Sequence, residues 1–118
     1  MLMLKQPESK VTGPALEKVA VAANTSLSIY QQVVECTVGN TTTITITLPD
    51  VAEAIGRVYS IRAVSVGSSS HVKVSDNDES EAFGPSGNGT DYDMSATGDR
   101  VALFSDGKAW VEIQDRTT

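Results

Sequence analysis

The sequence predicts an all-β fold, a small antiparallel sandwich or barrel-like domain, and three observations carry that expectation. Residues 41–48, TTTITITL, alternate strictly, with Ile44, Ile46 and Leu48 on one side and threonines on the other. That is the period of a strand with one wet face, as in an antiparallel sheet. Asp106-Gly107 separates the runs Val101-Ala102-Leu103-Phe104 and Ala109-Trp110-Val111-Glu112-Ile113. Such a dipeptide between two strand runs signals a hairpin, because a type I′ turn needs positive φ at both central residues. Strand-like runs recur at intervals of about 8–12 residues, the spacing of a sandwich or barrel.

Taken in order, residues 1–17 read as an extended N-terminal arm and residues 18–118 as a single β domain. The arm opens with the apolar tetrad Met1-Leu2-Met3-Leu4 and continues through Pro7, Gly13 and Pro14, which break regular structure. Lys18-Val19-Ala20-Val21-Ala22-Ala23 alternates, and Asn24-Thr25-Ser26 reads as a turn. Leu27-Ser28-Ile29-Tyr30 is a weak strand, and residues 33–38 a half-buried one that includes Cys36. After the strand of residues 41–48, Pro49 ends the ladder and Asp50 caps one short helical turn, closed at Gly56 by positive φ. Residues 57–64 resume the alternation. Gly67-Ser68-Ser69-Ser70 turns the chain into His71-Val72-Lys73-Val74-Ser75. An acidic, Gly-rich surface loop follows from Asp76 to Gly89, then a possible strand around Tyr92 and Met94, then the final hairpin.

Composition narrows the function. The chain has 118 residues, 15 acidic against 9 basic side chains and a formal charge of -6. That balance argues against nucleic acid as a partner, since phosphate recognition needs clustered Lys and Arg. No window approaches the roughly 18 apolar residues of a membrane span, so no membrane partner is expected either. The apolar start is too short for the apolar stretch of a secretory signal, about 7–15 residues, so synthesis and retention in a cytoplasm are expected. The single cysteine has no intrachain partner and weakly fits that compartment.

Little chemistry is expected. His71 is the one imidazole; a nucleophilic site would pair it with Ser or Cys36 and a carboxylate. No GxSxG elbow occurs, and His71 reads as a solvated edge residue. Asp76, Asp78 and Ser80 resemble the start of a calcium loop, but Glu81 and Gly87 stand where an EF-hand needs Gly and Glu. A looser site using Asp76, Asp78, Glu79 and Glu81 is the remaining metal alternative to a solvated acidic loop. The sequons at Asn24, Asn40 and Asn88 read as turn residues. No enzyme activity, catalytic residue, cofactor or metal is expected.

One ordered set of motifs goes further. Ile44-Thr45-Ile46-Thr47-Leu48-Pro49 is followed by the Ala-rich turn ending at Gly56, then Val58-Tyr59-Ser60-Ile61-Arg62. Next come Val72-Lys73-Val74 and the ending Val101-Ala102-Leu103-Phe104-Ser105-Asp106-Gly107-Lys108-Ala109-Trp110. This stretch, residues 41–113, resembles a β module of bacteriophage virion proteins, including head decoration (cement) proteins and fibre-like proteins. The resemblance implies a virion surface protein, commonly a homotrimer, with structural rather than catalytic motifs. In related chains the loop before the final hairpin is Gly/Asp-rich; here it is more acidic.

The short chain, nearly all one module, points to the head rather than to a fibre. The expected function is capsid decoration: an oligomer on the outer capsid surface that stabilises the head by bridging major capsid proteins. The alternative is a tail-fibre or head-fibre type of host-attachment module. The expected partners are the major capsid protein and the chain itself, and the expected location is the capsid surface of the virion. Because they precede the resembling module, Met1, Leu2, Met3, Leu4, Val19 and Val21 are the expected capsid or intersubunit contacts. Six carboxylates fall between Asp76 and Asp93, whereas Lys5, Lys10 and Lys18 lie near the start. The arm is therefore expected to face the shell and the acidic loop to face solvent.

Overall fold

In the computed structural model the residues described are 18–77 and 92–117. They form the strands β1 (Lys18–Val21), β2 (Thr25–Ser26), β3 (Val33–Val38), β4 (Thr43–Thr47), β5 (Val58–Val66), β6 (His71–Ser75), β7 (Tyr92–Met94), β8 (Arg100–Ser105) and β9 (Trp110–Arg116). One sheet has the order β1-β3-β5-β8-β9 and the other β2-β4-β6-β7. Their apolar faces meet as a sandwich. The all-β expectation holds, while the N-terminal arm and most of the acidic loop lie outside the described residues.

The antiparallel expectation does not hold, because both sheets are mixed. β1, β3 and β5 run parallel to one another, as do β2, β4 and β6. Only β5-β8-β9 and β6-β7 are antiparallel. The cause is the path of the chain. The first six strands alternate between the sheets, so the chain winds as a flattened coil. The return to the same sheet, which a crossover helix provides in α/β folds, is made here by a strand of the opposite sheet. A sheet covered on one side shows alternating polarity whichever way its strands run, so the pattern at residues 41–48 carried no direction.

The alternation itself places the core. Val34, Cys36 and Val38 of β3, Ile44 and Ile46 of β4, Tyr59, Ile61 and Ala63 of β5, and Val72 and Val74 of β6 are all buried. Each fully buried side chain of valine to phenylalanine size stabilises the fold by roughly 1.5–3 kcal/mol before entropy is counted. Trp110 of β9 lies edge-on to Tyr59, with ring centroids 5.5 Å apart and planes at 85°. The Tyr59 hydroxyl donates to the Ile29 carbonyl at 2.8 Å, so the polar end of this ring is satisfied.

Turn chemistry closes the coil at both ends. At one end, the connections β3–β4 and β5–β6 stack. Thr41 N donates to Ser68 O at 2.8 Å, and Ser68 N donates to the Asn40 side chain at 2.9 Å. The buried Ser70 hydroxyl accepts from Thr42 N at 3.0 Å and donates to Gly39 O. At the other end, Asp50 accepts from Ala52 N through its carboxylate and from Glu53 N and Ala54 N through its carbonyl. Gly56 has φ +81°. The segment is a hydrogen-bonded turn, with the i→i+4 bond from Ala54 N to Asp50 O at 3.1 Å, and does not extend into a regular helix.

The final hairpin also differs in detail. Positive φ occurs at Gly107 but not at Asp106. Asp106 instead caps a longer loop, its Oδ1 accepting from Lys108 N and Ala109 N at 2.8 Å each; these bonds hold its carboxyl below the usual range. The weak strand expected at Leu27-Ser28-Ile29-Tyr30 is irregular, and the strand lies at Thr25-Ser26, expected as a turn. There the backbone pairs with Ile46 and Thr47 of β4, and Asn24 Oδ1 accepts from Thr45 N at 2.9 Å.

Candidate functional site

Of the expected contact residues, Met1, Leu2, Met3 and Leu4 lie outside the described residues. Val19 is half-buried and packs against the core, and Val21 is buried within it. What β1 leaves open is its backbone edge, since it is the outermost strand of its sheet. The same side of the sandwich ends the other sheet at β2. The looser cation site falls largely outside the described residues; its first member, Asp76, is buried. Among the described residues no group of three His, Cys, Asp or Glu side chains is placed to hold a metal ion.

His71 does not stand at an edge. It lies on β6, between β4 and β7, and its Nδ1 is 2.8 Å from Asp93 Oδ1. Lys73 Nζ approaches the other oxygen of Asp93 at 3.9 Å. This carboxylate thus organises a small polar cluster on the outer face of the four-stranded sheet. Among the described residues no hydroxyl or thiol is bonded to the imidazole. Cys36 is fully buried, and burial pushes its thiol up to about 11, which leaves it protonated and unreactive at neutral pH.

The surface that stands out was not anticipated. On β5, β8 and β9 the residues that alternate with the buried ones point away from the core. Strand register then sets them in rows. Val58, Phe104 and Val111 form an apolar row near the Asp106 hairpin. Ser60, Ala102 and Gln114 form a small, neutral row beside it. Arg62, Arg100 and Arg116 form a third. Val58 and Val111 are each 41% exposed, and Ile113, at the bulge in β9, is 57% exposed. No Asp, Glu or Lys occurs at these outward positions.

Like charges directly opposite each other destabilise a sheet, yet three arginines stand side by side here. Among the described residues none of them is in an ion pair. Glu35 of β3 is in register with Arg62, but its carboxylate meets Lys18 Nζ at 3.4 Å. Beyond the row, Arg100 and Arg116 line an open depression of about 340 Å³ together with the carboxylates Asp99 and Asp115 and with Thr97 and Thr117.

The adjoining end of the molecule carries charges of both signs. Gly56 N donates to Ser105 O at 2.8 Å, and the buried Ser105 hydroxyl donates to Val51 O. These bonds hold the 50–56 turn against the β8–β9 hairpin. The turn carrying Asp50 and Glu53 therefore lies against the hairpin loop that carries Asp106 and Lys108, and Ile55, 62% exposed, lies over Gly107. Each component was visible in the sequence, but the rows depend on register, which no local pattern specifies. Compared against protein-family models, curated proteins and solved structures, the chain matches none of them.

Proposed function

We propose that the chain is a phage capsid decoration protein that binds the outer capsid surface as a homotrimer and bridges major capsid proteins. The observation that carries this reading is the place of the motif residues. Ile44, Ile46, Leu48, Tyr59, Ile61, Val72, Val74, Val101, Leu103 and Trp110, on which the resemblance to virion β modules rests, belong to one continuous core. They maintain a rigid two-layer body, and binding is left to its surfaces, edges and terminal arm. A trimer seated where capsid subunits meet would combine modest contacts through effective concentration. The segment before β1, with Met1 to Leu4, would add further contacts to the shell.

The test is to add the purified protein to undecorated capsids built from the major capsid protein encoded with it, and to count bound copies. The expected result is saturable binding that is lost when residues 1–13 are deleted, with the deleted protein keeping its Trp110 fluorescence. Failure of the full chain to bind would sink the decoration reading and favour the host-attachment alternative. Unchanged occupancy after the deletion would remove the arm from the mechanism.

A further inference from the structure

The outer face of β5, β8 and β9 gathers apolar side chains at one end. Val58, Phe104 and Val111 stand side by side there, with Ile113 at the bulge beside them. Val58, Val111 and Ile113 are exposed, and Phe104 is half-buried. The next row, Ser60, Ala102 and Gln114, continues across the sheet through Val33 to Lys18 of β1. Because β1, β3 and β5 run parallel, the start of β1 and the start of β5 lie at the same end of the sheet. The chain therefore enters β1 from the end where the apolar row stands, and Lys18 is one row away from Val58.

We propose that Met1-Leu2-Met3-Leu4 packs on this row of its own chain. The tetrad is the one run of four apolar residues outside the described segments, and the unbranched side chain of Met conforms to an irregular surface. Reach selects the occupant. Leu4 precedes Lys18 by 14 residues, and a linker of that length with coil dimensions spans about 20 Å r.m.s.. From β1 the strand β8 is the third neighbour and β9 the fourth, which places them about 14 Å and about 19 Å away. A tether that matches its span gives the greatest effective concentration, of millimolar order, whereas a second copy arrives only at its concentration in solution. Neither the apolar row nor the row beside it carries a charged side chain, so the contact desolvates no charge within them. The inference goes beyond the decoration reading, in which the same tetrad meets the shell: the free chain holds the tetrad on its sheet, and a capsid would draw it off.

The test uses methyl NMR on the full chain and on the variant Leu2→Ser with Leu4→Ser. Both substituted positions precede β1, so the buried Val72 and Val74 should keep their resonances and report an intact fold. Val64 is the control on the same face, 39% exposed but toward the far end of β5. In wild type, methyl–methyl nuclear Overhauser contacts are expected from the tetrad to Val58, Val111 and Ile113. In the variant these contacts should be lost, with shifts in the resonances of the row and none at Val64. An equimolar mixture of chains labelled only at Met with chains labelled only at Ile should show no contact from Met1 or Met3 to Ile113, because the contact forms within one chain. Absence of the contacts in wild type overturns the proposal, as does a variant whose row resonances stay in place. A contact in the mixture also overturns it and gives the row to a second copy. Capsid binding is scored separately. A docked tetrad on a chain that ignores capsids counts against the decoration function alone, and capsid binding by a chain without these contacts counts against this inference alone.

Discussion

At the scale of single residues, the core contains two ionisable groups whose burial ties stability to alkaline pH. Burial raises the Cys36 thiol from 9.0 to about 11. Burial likewise raises Tyr59 from 10.0 to about 12, with the nearby Arg57 cation acting in the opposite direction. Both values are higher folded than unfolded, so their contribution is intact below pH about 9 and declines as pH rises through the folded values. The thiol is worth about 2–3 kcal/mol if the whole window is crossed. Urea midpoints followed by Trp110 fluorescence should therefore fall between about pH 8 and about pH 10.5, with a smaller fall in Cys36→Ala. An equal fall in both proteins would assign the alkaline loss elsewhere. Tyr92 adds to the same trend: burial, and then its hydrogen bond to Glu112 at 2.8 Å, raise its hydroxyl.

Elements were legible where pattern and turn chemistry agreed. β4, β5 and β6 fall on runs of alternating polarity, and β3, β8 and β9 on apolar-rich runs, each set off by a nearby Gly, Pro or Asp. Thr25-Ser26 was missed because two residues cannot show a period, and because its strand character comes from pairing with β4. The corner joining β3–β4 to β5–β6 offers the sharpest test at this scale. At Gly67 an added Cβ would lie 2.5 Å from the Asn40 side-chain oxygen and 2.6 Å from the Gly39 carbonyl. Backbone stands there, so the two stacked turns must separate. Gly67→Ala should cost about 1–3 kcal/mol in chemical unfolding. At Gly39 nothing lies within 4 Å of the added atom and φ is not left-handed, so Gly39→Ala should leave stability within about 0.5 kcal/mol. Equal effects at both positions would show that close approach at Gly67 is not what fixes the corner.

For the molecule as a whole, strand positions were readable while their partners were not. Polarity with period two reports which side of a strand is wet, and it is silent on whether the neighbour comes from the next strand or from one turn of coil away. The arginine row on β5, β8 and β9 was hidden for the same reason, since its members are brought together only by register. That topology also sets how the chain must fold. Lys18 pairs with Val33, Thr43 with His71, and Val33 with Ser60, so each parallel ladder closes only after an intervening strand has crossed to the other sheet. Loop-closure entropy is spent before such contacts form, and domains dominated by non-local pairing refold in milliseconds to seconds. Both sheets contribute to one core, so neither should be stable first. The single tryptophan, Trp110, is fully buried in that core and reports its formation. Stopped-flow refolding by Trp110 fluorescence and by far-ultraviolet circular dichroism should then give one shared phase with a time constant above about 1 ms. A submillisecond phase carrying most of the signal, or two probes with different rates, would mean that part of the sandwich forms locally before the coil is wound.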